Sequence, residues 1–229
     1  TKQNLDEVIV QSIRVKYSAP FSHSNISKTE LSLKNLGQDL PILLNFLPSV
    51  VTTSDAGAGI GYTGIRIRGV SAQSTNITIN GIPFNDTESL GTYWVNLPDF
   101  TSSIESLQVQ RGVGTSTNGS GAFGASINIL TDAVSEEAYA EISNSVGSYN
   151  TYKNTVKFST GKINDVFELS GRLSKIDSDG YIDRAFSDLK SYFLQGSYLK
   201  GSTFIKALAF GGHEKTYQSW NGVSKDQIL

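Results

Sequence analysis

Few residues in this sequence have the types and spacing that chemistry requires. Asp86, Glu88 and Asp99 come nearest to an acid pair, which needs two carboxylates held together in contrasting environments. No motif brings them together. The two histidines, His23 and His213, stand far apart without ligand-spaced neighbours, so neither a zinc motif nor a Ser-His-Asp pattern is supported. Gly119 to Gly124 reads G-x-G-x-x-G, but a dinucleotide loop must open a helix, and here the strand-forming Ile127 to Leu130 follow. There is no Gly-Lys-Ser/Thr phosphate loop. Without cysteine there is no thiolate ligand, nucleophile or disulfide. An enzyme reading is poor, and neither cofactor nor metal is expected.

The 229 residues carry a formal charge of −2, which argues against the basic face of a nucleic-acid protein. No apolar run approaches the ~20 residues of a membrane helix. The sequence has no Met, so a processed or partial chain is expected. A membrane β-barrel passes these filters, because its strands alternate and escape a hydropathy scan.

Texture changes near Ala133. The first half is glycine-punctuated and mixed. Ser27 and Glu30 have capping-box spacing for a short helix. Leu40, Leu43, Leu44 and Leu47 predict a helix over 39–47, ended by Pro48. Ile65–Arg68, Asn76–Asn80, Ile104–Gln110 and Ser126–Thr131 alternate as strands, which together make a small α+β unit.

The second half reads as five alternating segments. Val156 and Phe158 oppose Lys153, Thr155, Lys157 and Ser159. Phe167, Leu169 and Leu173 oppose Glu168, Ser170, Arg172 and Ser174. Tyr192, Leu194 and Tyr198 oppose Ser191, Gln195 and Ser197, with Phe193 and Leu199 blurring the pattern. In the last segment Lys206 shares a face with Phe204, Leu208 and Phe210. Short joins at 162–165 and 200–202 alternate with the longer 178–188 stretch, the asymmetry of an outer-membrane barrel. A soluble β-sandwich also alternates, and the matching function would be a soluble or surface β-rich binding or adhesion module.

Over most of residues 5–131 the first half resembles the plug domain of TonB-dependent outer-membrane receptors. The elements that carry the likeness are Leu5-Asp6-Glu7-Val8-Ile9-Val10, similar to a TonB box, and Leu47-Pro48-Ser49-Val50. Ile65-Arg66-Ile67-Arg68-Gly69-Val70 and Ile77-Thr78-Ile79-Asn80-Gly81-Ile82-Pro83 follow. The long Ile104 to Gly112 signature continues through Gly119, Ala122 and Gly124 to Ile127–Thr131. Ser49 stands where the family has Gly, Asn80 where it has Asp, and Ser106 where Arg is common. The leader and Tyr93–Pro98 are similar to receptors of the Bacteroidetes type.

The resemblance implies a leader over 1–15, a plug over 16–133, and the first five or so strands of an antiparallel transmembrane β-barrel over 134–229. A barrel of this kind has about 22 strands and needs roughly 450 residues, so the chain is expected to be a fragment of the whole. It implies uptake of a scarce ligand, such as a ferric siderophore, across the outer membrane of a Gram-negative cell. TonB would draw on the leader residues Leu5, Asp6, Glu7, Val8, Ile9 and Val10 by strand addition. Arg66, Arg68 and Arg111 would latch the plug to acids on the barrel wall. Asn85, Asp86, Glu88, Tyr93 and Trp94 would face the ligand, a small molecule or metal chelate. The partners implied are TonB with its inner-membrane energising complex, outer-membrane lipid and, for the Bacteroidetes type, a surface lipoprotein. Siderophore, haem, cobalamin, peptide and glycan receptors share this plug, so the cargo stays open.

Overall fold

The computed structural model describes residues 14–15, 20–113, 121–218 and 223–228. Strand β1 (His23–Ser27) runs into helix α1 (Lys28–Ser32). Ser27 Oγ accepts the Glu30 N–H, and the Glu30 carboxylate accepts the Ser27 N–H at 2.8 Å, the reciprocal cap that the Ser-x-x-Glu spacing predicts. Helix α2 covers only Leu40–Leu43, shorter than the 39–47 expected. Beyond Leu43 the bonds tighten to three residues back, Asn45 to Ile42 and Leu47 to Leu44. Leu40, Leu43, Leu44 and Leu47 are nonetheless all buried, so their spacing signals an inward face rather than a long helix.

Strands β2 (Val50–Ser54) and β3 (Thr63–Ile67) form a separate antiparallel pair. The main sheet contains β1, β4 (Thr75–Ile79), β5 (Ile82–Pro83), β6 (Ile104–Arg111) and β7 (Ala125–Thr131), in the order β1-β6-β7-β4-β5. Only the β4–β7 pairing is parallel. Asn80 and Gly81 take φ of 49° and 83°, as a two-residue hairpin loop requires. Ile77, Ile79, Leu107, Val109, Ile127 and Ile129 lie in one apolar core with Leu31, Leu44, Trp94 and Phe100. Gln108, Gln110, Ser126 and Asn128 alternate with core residues along β6 and β7 and are also buried, so the opposite face of the sheet is covered but polar.

The rest of the chain is a second sheet, here called the wall. It contains β8 (Ala138–Gly147), β9 (Thr151–Thr160), β10 (Phe167–Ser178), β11 (Ser187–Lys200) and β12 (Thr203–Thr216). Each strand pairs antiparallel with its sequence neighbour. One face of the wall carries exposed Ile142, Val156, Leu169, Leu173, Tyr192, Leu194 and Ile205. The other carries Lys153, Thr155, Lys157, Glu168, Ser170, Arg172, Ser174, Ser191 and Gln195, all buried against the α+β unit. The inward face of β11 and β12 also carries an apolar patch of Phe193, Leu208 and Phe210. Phe193 is buried there, and Phe210 lies 5.3 Å from Phe100 and 6.0 Å from Phe84, ring centre to ring centre. Phe193 and Phe210, which depart from the polar inward pattern, are therefore inward residues that meet aromatic rings of the α+β unit.

Candidate functional site

The chemistry-bearing side chains gather where the α+β unit meets the wall. Asp99 sits between the two 3₁₀ turns Trp94–Asn96 and Phe100–Ser103, at φ 52°. Asp tolerates this left-handed conformation better than most residues. The conformation accompanies a carboxylate set against β9 and β10. Lys153 Nζ lies 2.9 Å from Oδ1 and Arg172 Nη1 lies 3.7 Å from Oδ2. Thr155 and Ser174 hydroxyls each donate to Oδ2 at 2.7 Å, and Ser102 Oγ donates to Oδ1 at 2.6 Å. Burial opposes the Asp99 charge, but Arg172 and Lys153 outweigh it and hold the carboxyl at about 2. The carbonyl of Pro98, one residue earlier, accepts from Ser191 Oγ at 2.8 Å and from Arg172 Nη2 at 3.4 Å.

Asp132 repeats the theme at the end of β7. Lys157 Nζ lies 2.6 Å and Lys28 Nζ 2.8 Å from its carboxylate. Its backbone carbonyl accepts from Gln195 Nε2 at 2.9 Å and Lys206 Nζ at 3.0 Å. Lys28 pays for its partial burial with desolvation, yet the charges of Asp132 and Glu105 raise its pKa overall. The interface thus sets carboxylates of the α+β unit among cations of the wall. Beside these groups lies a polar cavity of about 340 Å³, lined in part by Lys28, Asn35, Glu141, Ser143, Lys153 and Lys157.

A second contact closes the other end of the interface. The 55–62 loop offers the Ala56 carbonyl to the N–H groups of Tyr181 (2.8 Å) and Ile182 (3.1 Å) in the β10–β11 connection. Ile60 and Val95 pack there with Ile176 and Leu189 of the wall. At Gly57 an added Cβ would fall 2.9 Å from the Tyr181 side chain, so this close approach needs glycine.

The residues singled out from sequence fall in different places. Leu5 to Val10 lie outside the described residues. Arg68 and Arg111 come together at the end of β6. The Arg68 guanidinium lies 2.7 Å from where a Cβ on Gly112 would stand. Arg111 donates to Ser22 Oγ, Ser24 Oγ and the His23 carbonyl at 3.1, 2.8 and 3.4 Å. Partial burial and the neighbouring Arg68 charge lower its pKa. Arg66 and Arg68 are exposed, and among the described residues no carboxylate pairs with any of the three.

In the 84–97 loop, Asn85 accepts the Ile77 N–H and donates to the carbonyls of Thr75 and Leu90, which ties the loop to β4. Asp86 accepts the Ser89 N–H and hydroxyl, bonds that hold its carboxyl below the usual range. Trp94 is buried in the main core, while Glu88 and Tyr93 are exposed. The sequence reading missed the pairing of Asp99 and Asp132 with the wall. Its signal was Lys153, Lys157 and Arg172 on the polar faces of their strands.

Residues 15–126 match the family model of the TonB-dependent receptor plug domain. The chain is 30% identical over 182 residues to the vitamin B12 transporter of Vibrio vulnificus, covering 78% of this chain and 29% of that protein. It is 30% identical over 188 residues to a probable TonB-dependent siderophore receptor of Acinetobacter baumannii, covering 77% of this chain and 22% of that protein. The crystal structure of the siderophore receptor PirA from A. baumannii superposes with a TM-score of 0.68 at 20% identity, over 96% of this chain and 34% of that one. The ferripyoverdine receptor of the Pseudomonas aeruginosa outer membrane gives 0.68 at 14% identity, over 86% and 26%. The chain therefore spans about a third or less of the length of these relatives.

Proposed function

Because the chain belongs to the TonB-dependent outer-membrane receptors, with residues 15–126 as plug domain and β8–β12 as barrel strands, we propose that it serves TonB-driven uptake of a scarce ligand, with the plug as gate. The observation that carries this reading is the seating of the plug. Asp99 and Asp132 are buried against Lys153, Arg172 and Lys157 on the inward face of the wall. The outward face is apolar, as lipid contact requires.

A gate must hold without ligand and yield under load. Buried charge pairs suit this, because losing either partner strands a buried charge while the net stabilisation of the intact pair over apolar packing is small. The load would enter through Leu5 to Val10, which add as a strand to an edge of TonB. A 100 mV potential supplies ~2.3 kcal/mol per charge moved, and nanomolar ligand binding amounts to ~12 kcal/mol. Several protons per cycle are then needed.

Arg68 and Arg111, with Arg66 sharing the work, form a second latch of opposite sign that takes carboxylates from further along the wall. Two guanidinium groups drawn together without a carboxylate among the described residues support that role. In the 84–97 loop Glu88 and Tyr93 touch ligand, and Asn85, Asp86 and Trp94 hold the loop in shape. The cargo is a ferric siderophore or a similar metal chelate, the class to which several of the similar receptors are assigned by name. The experiment is growth of a deletion strain on single iron sources, with haem and cobalamin alongside. Loss of growth on one ferric siderophore, restored by the gene, supports the assignment; unchanged growth on all of them excludes it.

A further inference from the structure

Gln108 is buried in the middle of β6, on the polar face of the main sheet that it shares with Gln110, Ser126 and Asn128. Part of the cover over that face is the junction between leader and plug. The Gln108 side chain treats Val15 as a neighbouring strand would. Its Oε1 accepts the Val15 N–H at 3.0 Å, and its Nε2 donates to the Val15 carbonyl at 3.1 Å. Arg14 reaches across β6 and β7. Its Nη2 donates to the carbonyls of Ser106 (2.8 Å) and Asn128 (3.0 Å), and its Nη1 donates to Ser106 Oγ (3.0 Å).

The position of Ser106 matters. In β6, Ile104 faces Thr131 and Ser106 faces Leu130, so Glu105 is the extra residue of a bulge. A bulge disrupts the local ladder, and the Arg14 guanidinium bonds the strand just after it. The contact spreads further, because Gln108 also donates to Asn25 Oδ1 of β1 at 2.7 Å and accepts from Gln110 Nε2 at 2.9 Å. Three strands of the plug are thus joined to Arg14 and Val15.

We infer that Arg14, Val15 and Gln108 form a releasable clasp, which tension on the leader breaks before the plug sheet gives way. This rests on the uptake reading for the source of the tension. Each of these bonds involves a side chain and none belongs to a strand ladder, so they part without unzipping β6 from β7. The face they uncover carries Gln108, Gln110, Ser126 and Asn128, which water can hydrogen-bond as soon as it enters. Exposing an apolar face would lack that compensation.

The test is single-molecule pulling on the leader of the full-length receptor in outer-membrane lipid. Wild type should show a discrete first rupture ahead of plug unfolding. Gln108→Leu and Arg14→Ala should each lower that first rupture force to half or less at the same loading rate and leave later ruptures unchanged. Arg14→Lys should fall between. Arg14→Ala leaves β6 intact and serves if Gln108→Leu fails to assemble. A first rupture equal to wild type in Arg14→Ala overturns the clasp. Binding of the TonB C-terminal domain to the same proteins separates the two readings. If TonB binds and the forces do not change, the clasp falls and the uptake reading stands. If TonB does not bind the leader and the forces still drop, the clasp stands without its proposed source of load.

Discussion

Asp99 of the plug and Lys153 of the wall meet at 2.9 Å with both side chains almost wholly removed from solvent. Each is a charge that would be costly to bury alone, so each makes the other's position necessary. Removing one partner of a buried pair costs ~3–5 kcal/mol, because the remaining charge is stranded. Asp99→Ala strands Lys153 and Arg172 together. The expected outcome is a loosened plug in an assembled barrel, measured as sensitivity to bulky antibiotics with heat-modifiable protein still present. Exchange of the charges, Asp99→Lys with Lys153→Asp, should restore part of the seal.

The same carboxylate sets an acid limit. Its folded-state pKa of about 2 lies below the ordinary aspartate value, so its contribution is fully present above the unfolded pKa and is lost as pH falls through the folded one. Roughly 2 kcal/mol is at stake. Protease sensitivity of the plug in the purified receptor should stay flat down to about pH 4 and rise between about pH 4 and 2. Asp99→Asn should show a smaller rise over that window.

The two faces of the wall should differ sharply. Val156 and Leu173 point outward and are exposed. Arg at a midplane position on a lipid face costs ~2–4 kcal/mol, so Val156→Arg and Leu173→Arg should reduce assembly into the outer membrane. Ser143 lies on the inward side beside the polar cavity, and Ser143→Arg should assemble normally. Equal assembly of all three variants, read by heat modifiability, would contradict the assignment of faces.

Much of this wall was legible beforehand. Strict alternation in β9 and β10 placed Lys153, Lys157 and Arg172 opposite Val156, Leu169 and Leu173 with no knowledge of the fold. The partner of those cations was not legible. Asp99 lies 54 positions before Lys153, in a loop whose course is set by 3₁₀ turns and a left-handed residue, and no periodicity reports such a loop. Phe193 and Phe210 confused the pattern for a related reason. Inward positions are polar only where the plug is polar, and here the plug offers Phe84 and Phe100. Helix α2 came out short because buried leucines at helical spacing also fit a series of tight turns. The Leu-Pro, Arg-Gly and Asn-Gly elements were readable because each imposes a local backbone demand, as the positive φ of Asn80 and Gly81 shows.

The arginine pair makes a separate expectation. Gly112 leaves room for the Arg68 guanidinium, and a Cβ there would fall 2.7 Å from it. Gly112→Ala should displace Arg68, and at φ 90° it should also strain the backbone. Arg68→Glu and Arg111→Glu should leak more than the alanine variants, since they would place like charges against wall acids. Tight pores and normal transport in both Arg68→Ala and Arg111→Ala would remove the second latch from the mechanism.

Transport itself is tested most directly by accumulation of radiolabelled ferric siderophores and cobalamin, offered singly to cells that carry the full-length receptor. At least one probe should accumulate in wild type, and its accumulation should stop in cells without TonB and in the Ile9→Pro receptor, while surface binding of that probe persists in both. Proline at that position removes a backbone donor and restrains its neighbour, so strand addition to TonB should fail. Accumulation that continues unchanged without TonB, or with Ile9→Pro, would contradict TonB-driven uptake.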